Sequence, residues 1–237
     1  DLNNSKKIIF ITGATSGIGE AAANLLSNKY NLILCGRREE RLLKIKNRLS
    51  KKTEVITLNF DVRSKEDVTD KINSLPDKWK KINILINNAG NAHGLDFIDE
   101  GDISDWDKMI DINVKGLLYV TKQVLSFMLM QNSGHIINVG SIAGKEVYPK
   151  GNVYCASKFA VDAFTEGLRL DLNPLGIKVS AVHPGMVNTE FSEIRFKGNK
   201  HKASQVYKGL TPLSAKDVAD LIEFMVLAPD HVNIADV

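Results

Sequence analysis

The stretch Lys7-Ile8-Ile9-Phe10-Ile11-Thr12-Gly13-Ala14-Thr15-Ser16-Gly17-Ile18-Gly19 runs from apolar, β-branched residues into a glycine-rich turn. Because residues with helical spacing follow at once, the stretch predicts a β-strand, a turn and a helix. Backbone N–H groups at such a helix N-terminus can hold a pyrophosphate, and glycines permit the close approach that a Cβ would block. The glycine spacing differs from the general dinucleotide fingerprint, so its position at the first strand–helix junction carries the prediction.

The same alternation of strand and helix continues along the chain. Strands are predicted at residues 31–35, 55–60, 82–86, 136–139 and 178–182. Helical spacing predicts a long helix over 105–130 opened by Ser104, a helix around Tyr154, and a last helix over 216–227 opened by a capping box at Ser214. Alternating elements favour a parallel sheet covered on both faces. We therefore expect an α/β fold over residues 1–237: a Rossmann-type, doubly wound parallel sheet in one three-layer αβα domain.

Two segments lie outside this alternation. Residues 188–211 are polar, rich in lysine and irregular, which predicts a substrate lid. The chain stops at Ala235-Asp236-Val237, where an apolar stretch begins, so we expect a C-terminal strand that continues beyond it.

Composition excludes several classes of protein. The 237 residues are 43% hydrophobic, which supports a sizeable core, and the 31 basic and 28 acidic residues form no basic stripe. No apolar run approaches the ~18 residues that span a bilayer, and the first seven residues lack a signal-peptide core. Cys35 and Cys155 have no metal-ligand spacing. We expect a cytoplasmic protein with no metal and no nucleic-acid or membrane partner.

Tyr154 and Lys158 are four positions apart, so both side chains leave one face of a helix. A free phenol has a pKa of ~10, and lowering it to ~7 requires a preference of ~4 kcal/mol for the phenolate. One cation at ~4 Å in an effective dielectric of ~20 supplies about that much. The pair suits acid–base chemistry on an alcohol or carbonyl, although a packed ring beside a solvated charge gives the same spacing.

Gly36-Arg37-Arg38 follows the second strand, where NAD-selective folds usually place an acid against the ribose 2′-hydroxyl. Two guanidinium groups suit a 2′-phosphate instead, which favours NADP. The alternative is a pair of solvated residues opposite Glu39 and Glu40, and NAD then remains open.

Several motifs together resemble the classical short-chain dehydrogenase/reductase family over essentially the whole chain. They are Thr12 to Gly19, Asp61-Val62, Asn87-Asn88-Ala89-Gly90, Asn113, Ser141, Tyr154-x-x-x-Lys158 and Pro184-Gly185. The resemblance implies a catalytic tetrad of Asn113, Ser141, Tyr154 and Lys158. It implies that Tyr154 exchanges the proton and that Lys158, assisted by the positive nicotinamide ring, lowers the pKa of the tyrosine and bonds the nicotinamide ribose. It also implies that Ser141 bonds the substrate oxygen and that Asn113 holds a relay water.

The same resemblance implies the cofactor contacts. The expected residues are Gly13, Thr15, Ser16, Gly17, Ile18, Gly19, Arg37, Arg38, Asp61, Val62, Asn88, Ala89, Gly90, Tyr154, Lys158, Pro184, Gly185, Val187 and Thr189. For two residues the sequence alone permits another interpretation. Asn113 would be a solvent-facing residue within a helix, and Asp61 a turn or cap residue after a strand.

A narrower resemblance is to the NADP-dependent 3-hydroxy acid dehydrogenases. It is carried by residues 61–63, 74–79, 151–154, 189–198 and 229–234. It implies oxidation of serine, L-allo-threonine or 3-hydroxyisobutyrate at the β-hydroxyl, and a homotetramer. A hydroxy acid or oxo acid substrate needs a cation for its carboxylate; the candidates are Arg195, Lys197 and Lys145, with ordinary surface charges as the alternative.

Three other functions stay open from the sequence. Two are enzymatic: a broader carbonyl reductase, and a 3-oxoacyl carrier-protein reductase. The third is a nucleotide-sensing binding protein that keeps the fold without catalysis. Such proteins commonly lose the tyrosine or lysine, whereas all four tetrad positions are filled here.

Overall fold

A six-stranded parallel sheet forms the centre of the molecule in the computed structural model, which describes residues 6–237. Its strand order is β3-β2-β1-β4-β5-β6. The strands are β1 (Ile8–Ile11), β2 (Asn31–Gly36), β3 (Val55–Asn59), β4 (Ile82–Asn87), β5 (Gly134–Val139) and β6 (Ile177–Val182). The predicted doubly wound parallel sheet is confirmed.

Helices cover both faces of the sheet because alternate strand residues point to opposite sides. Ile8 and Phe10 pack towards one core, and Ile9 and Ile11 towards the other. The first core lies under α3 (Lys65–Asn73), α5 (Leu117–Gln131) and α6 (Asn152–Leu172), and the second under α1 (Gly17–Leu26), α2 (Glu39–Leu49) and α9 (Ala215–Leu227).

The predicted long helix is not continuous. It comprises α4 (Ile103–Ile110), a π-helical segment (Asp111–Gly116) and α5. Its N-cap is Asp102, whose carboxylate accepts a hydrogen bond from the Ser104 backbone N–H at 2.8 Å, so the prediction of Ser104 as the cap is wrong. The predicted capping box at Ser214 and Asp217 of α9 is confirmed.

Residues 188–211 contain more regular structure than predicted. They include α7 (Phe191–Arg195) and α8 (Lys200–Gln205), and β7 (Val187–Asn188) pairs with β8 (Leu213–Ser214) to fix the base of the segment. At the C-terminal end, residues 235–237 run parallel to β6, with the His183 N–H donating to the Val237 carbonyl at 2.7 Å. None of the helices in residues 6–237 has the length and apolar character needed to cross a bilayer.

The turn between β1 and α1 leaves no room for side chains at its glycines. Gly13 and Gly17 adopt positive φ angles of 64° and 54°. A methyl group on Gly19 would lie 2.5 Å from the Asn88 side-chain nitrogen and closer still to the Gly13 carbonyl oxygen. This turn therefore packs directly against the end of β4, where the strand order reverses and doubly wound sheets open a crevice.

We expect Gly19→Ala to lower the free energy of unfolding by about 1–3 kcal/mol, because backbone atoms must move to admit the methyl group. Gly167→Ala is the matched control: Gly167 lies inside α6 with no atom within 4 Å of the added Cβ. Alanine there should raise stability by up to about 1 kcal/mol. Urea unfolding of both variants measures the two changes; a Gly19→Ala protein as stable as the wild type would contradict the packing described here.

Candidate active site

A cavity of about 670 Å³ opens at the carboxyl ends of the strands. All of the residues predicted for the catalytic and cofactor sites line it except Gly19 and Asn113. Gly19 lies beneath the glycine turn, and Asn113 lies behind Gly90, where a Cβ would be 3.2 Å from the Asn113 oxygen. The sheet topology thus brings distant motifs to one edge.

Thr12 and Asn88 connect the ends of β1 and β4. The Thr12 hydroxyl accepts hydrogen bonds from the backbone N–H groups of Asn88 and Ala89, both at 3.0 Å. In return, the Asn88 side-chain nitrogen donates to the Thr12 carbonyl at 3.0 Å. These hydrogen bonds fix the glycine turn to the chain segment that follows β4.

Guanidinium groups lie at one end of the cavity. Arg38 donates to the Thr15 hydroxyl at 3.1 and 3.2 Å, to Ser16 at 2.7 Å and to the Glu190 carboxylate at 2.7 Å. Arg37 lies 3.6 Å from Asp61. The alternative pairing with Glu39 and Glu40 is absent from the ion pairs of residues 6–237. Arginines and hydroxyls at the end of β2 are a donor set that fits a phosphate.

Asn113 is buried rather than solvent-facing, at 2% exposure. Its amide accepts from the Asn91 N–H at 2.8 Å and donates to the Asn91 carbonyl at 2.8 Å and to the Ser157 hydroxyl at 2.9 Å. The residue belongs to the π-helical segment, a form that often occurs at functional sites. Asn113 therefore fixes the loop after β4 to α6.

Tyr154, Lys158 and Ser141 meet at the other end of the cavity. The side chains of Tyr154 and Ser141 both border the cavity, and Lys158 donates from Nζ to the Val139 carbonyl at 3.1 Å. Ser141 caps a 3-10 turn by accepting from the Ala143 N–H at 3.1 Å. The hydroxyl groups of Tyr154 and Ser141 can therefore contact one ligand oxygen together.

Burial determines the proton affinities of this group. Burial raises the pKa of Tyr154 well above its ordinary value, and interaction with the Ser141 hydroxyl and the charge of Arg195 offset only part of that rise. Burial also lowers the pKa of Lys158 to about 8. Removal of both groups from water favours their neutral forms, and the lowering of the tyrosine pKa by Lys158 and the nicotinamide ring stays a prediction.

The comparison with protein families decides the classification. The family model for short chain dehydrogenases matches residues 7–200. The chain belongs to this family. It is therefore an oxidoreductase of the short-chain dehydrogenase class, as the motif pattern predicted.

Two curated relatives and one solved structure resemble this dehydrogenase over most of its length. The NADP-dependent 3-hydroxy acid dehydrogenase YdfG of Salmonella typhi is 42% identical over 96% of this chain and 92% of its own. Sulfoacetaldehyde reductase 2 of Chromohalobacter salexigens is 43% identical over 96% and 91%. The closed form of serine dehydrogenase complexed with NADP⁺ has a TM-score of 0.92 at 40% identity, covering 97% of this chain and 94% of that one.

The three cations suggested for a substrate carboxylate differ in their surroundings. Lys145 forms ion pairs with Asp162 at 2.8 Å and Asp236 at 3.5 Å, and it does not line the cavity. Lys197 pairs with Asp105 at 2.8 Å. Arg195 lies beside Tyr154, with its Cζ 5.6 Å from the ring centroid. The structure therefore places only Arg195 of these three next to the tyrosine.

Several cavity residues were missed by the sequence analysis. Glu190 holds both Arg38 and Arg41 at 2.7 Å, and nothing in its local sequence indicates those partners. His93 is half-buried, burial lowers its pKa, and its Nε2 has no hydrogen-bond partner within residues 6–237. Asn91, which pairs with Asn113, follows the Asn87 to Gly90 motif directly, and that adjacency was the available signal.

We expect Lys158→Met to stabilise the ligand-free dehydrogenase while abolishing activity. The pKa of about 8 lies below the ordinary lysine value, so burying the ammonium group opposes folding fully below pH 8. This opposition diminishes as the pH rises towards about 10.5. The gain at pH 7 should reach about 3 kcal/mol, less the lost bond to Val139.

Urea unfolding at pH 7 and pH 10 measures this gain, which should be larger at pH 7. Lys202→Met, at an exposed position of α8, should change stability little at either pH. A Lys158→Met protein that is no more stable than the wild type at pH 7 would show that the ammonium group is not an unfavourable buried charge.

Proposed function

We propose that this dehydrogenase transfers a hydride between NADP and the β-hydroxyl carbon of a small 3-hydroxy acid, with Tyr154 as the acid–base group. The observation that carries the proposal is a single cavity with a phosphate-binding donor set at one end and Tyr154, Ser141 and Lys158 at the other. The 42% identity to a NADP-dependent 3-hydroxy acid dehydrogenase and the similarity to serine dehydrogenase with NADP⁺ support this substrate class.

NADP⁺, when bound, supplies the hydride acceptor. Gly13, Gly17 and the Arg37–Arg38 pair would hold its phosphates, and Asp61, Val62 and Asn88 to Gly90 its adenosine half. Pro184, Gly185, Val187 and Thr189 line the same cavity and would orient the other half. Gly13 and Gly19 have no room for a Cβ, and a turn without side chains there suits close approach of a phosphate to the backbone.

The catalytic roles follow from the contacts of each side chain. Tyr154 would take the proton from the substrate hydroxyl and return it in the reverse direction. Ser141, which borders the same cavity, would hold the same substrate oxygen. Lys158 is anchored at Val139 and would contact the ribose, and Asn113 would fix the Asn91 backbone that borders the relay. A pKa of about 8 would let Lys158 exchange a proton close to neutral pH.

A second candidate is reduction of sulfoacetaldehyde, because a reductase of this compound is 43% identical to the chain. The two substrate classes share a chemical pattern: one carbon separates an anionic group from the reacting carbon. A carboxylate and a sulfonate differ in shape but not in the need for a cationic partner.

Residues 188–211 would form the lid, since Phe191 and Ile194 of α7 border the cavity.

We also propose a cytoplasmic homotetramer. Two buried free cysteines suit a reducing compartment, and exposed apolar side chains such as Phe159 and Leu170 on α6 suit a subunit interface. Light scattering of the purified protein tests the assembly.

The substrate proposal predicts NADPH formation with L-serine, L-allo-threonine and 3-hydroxyisobutyrate, together with NADPH-dependent reduction of sulfoacetaldehyde if the second candidate also holds. Tyr154→Phe should lose activity at least 10²-fold on every substrate, because it removes the proton-transfer group. Absorbance of the reduced nicotinamide measures both.

Turnover of a neutral secondary alcohol alone would contradict the hydroxy acid and favour a broader carbonyl reductase. NADPH binding without turnover of any substrate would favour the nucleotide-sensing protein. If the protein reduces a 3-oxoacyl carrier protein and does not turn over the small hydroxy acids, the result would favour a 3-oxoacyl carrier-protein reductase.

The preference for NADP⁺ over NAD⁺ gives a separate prediction. Arg38→Gln should lower kcat/KM for NADP⁺ by about 10- to 100-fold and change that for NAD⁺ little, because a charge-assisted phosphate contact contributes about 1.5–3 kcal/mol. Arg41→Gln is the matched control, since Arg41 shares Glu190 with Arg38 but does not line the cavity. Equal losses with both dinucleotides would mean that Arg38 only supports the glycine turn.

A further inference from the structure

Arg195 is the last residue of α7, and its position is fixed by bonds in both directions. Its Nε donates to the Gly94 carbonyl at 3.0 Å, and the Gly94 N–H donates to the Arg195 carbonyl at 3.0 Å. Gly94 has a φ of 70°, a conformation that favours glycine. The lid helix and the loop after β4 therefore hold this arginine between them.

Two aromatic rings flank the guanidinium group. Its Cζ lies 5.5 Å from the ring centroid of Tyr148 and 5.6 Å from that of Tyr154. Phe191 packs edge-on against Tyr154, with ring centroids 5.7 Å apart. Rings on these sides shield the cation from water and restrict its plane, which prepares it for a planar or tetrahedral anion.

Arg195 is half-buried, yet within residues 6–237 it forms no ion pair. Among the other cations near the cavity, Lys108 and Lys197 both bond the buried Asp105, at 3.2 and 2.8 Å, whereas Lys158 donates to the Val139 carbonyl and has no ion pair within residues 6–237. Arg38 bonds Glu190. A partly desolvated positive charge without a counter-ion is unfavourable, and an anionic ligand would remove that cost.

Arg195 lines a small second cavity of about 20 Å³ that shares Tyr154 and His93 with the main one. A space of that size holds roughly one water molecule, or the oxygen atoms of a small anionic group. Lys150 also borders it, but it is exposed and lies over the Phe97 ring, 4.3 Å from the centroid. Asp96 at the rim is exposed, so water screens its charge.

We infer that the Arg195 guanidinium binds the anionic group of the substrate, a carboxylate or sulfonate one carbon away from the reacting carbon. This inference rests on the proposed function and specifies its substrate class. A hydroxyl held at Tyr154 places the anionic group two bonds of ~1.5 Å beyond the reacting carbon. The Arg195 guanidinium lies 5.6 Å from the ring centroid of that tyrosine. Arg195 is then a substrate-binding residue on the lid.

The test compares 3-hydroxyisobutyrate with its methyl ester, which keeps the reacting carbon but lacks the charge. Arg195→Met should lower kcat/KM for the acid by about 10- to 150-fold, mainly through KM, and change that for the ester by less than about threefold. Arg195→Lys should recover part of the loss, because it restores charge without the bidentate geometry. Sulfoacetaldehyde reduction, measured on the same variants, shows whether a sulfonate uses the same residue.

Lys150→Met is the matched control, since it removes a cation at the rim of the same small cavity. It should leave the preference for acid over ester unchanged. A selective loss in Lys150→Met instead of Arg195→Met would overturn the assignment, as would equal losses of acid and ester in Arg195→Met.

Binding of isobutyrate, which lacks the hydroxyl, separates this inference from the proposed reaction. In the presence of NADPH, calorimetry should show isobutyrate binding at least tenfold weaker to Arg195→Met than to the wild type, with no such difference for neutral isobutyramide. If no hydroxy acid turns over but this difference is present, the reaction is wrong and the anion site stands. If hydroxy acids turn over but the difference is absent, the anion site is wrong and the reaction stands.

Discussion

Removal of Tyr154 and Lys158 from water is the constraint on which the chemistry of this molecule depends. Burial raises the pKa of the phenol and lowers that of the ammonium to about 8, so the two pKa values move apart. Burial disfavours the charged form of each group, so near pH 7 the Tyr154 phenol is neutral, whereas Lys158, with a pKa of about 8, is still mostly an ammonium. Formation of a phenolate therefore requires positive charge close to the phenol.

The positions of Tyr154 and Lys158 depend on the π-helical segment that interrupts the helix from α4 to α5. A regular α-helix from Ile103 to Gln131 would not contain the π-helical turn that carries Asn113. That turn lets one amide bond both backbone groups of Asn91 and the hydroxyl of Ser157, next to Lys158. A wider turn is less favourable than an α-turn, and the three buried hydrogen bonds offset that cost.

The parts that the sequence could predict are those encoded by local periodicity. Apolar runs at β1 to β6 and the glycine turn determine a parallel sheet, and the topology alone then brings Gly13, Asn88, Ser141 and Tyr154 to one edge. The cap at Asp102, the π-turn and the pairing of Arg38 with Glu190 depend on contacts between distant residues, so no local pattern contains them. The pKa shifts of Tyr154 and Lys158 depend on desolvation by the packed core, which no local pattern contains either.

Helix α7 connects the two ends of the cavity physically. Glu190, its N-cap, bonds Arg38 beside the glycine turn, and Arg195, its last residue, lies against Tyr154. Five residues of helix span only about 7.5 Å and behave as one rigid piece. A phosphate at Arg38 would compete with the Glu190 carboxylate for the same guanidinium, so whatever shifts that contact also acts on Arg195. Binding of a phosphate at Arg38 and the position of Arg195 beside Tyr154 are therefore linked through the one and a half turns of α7.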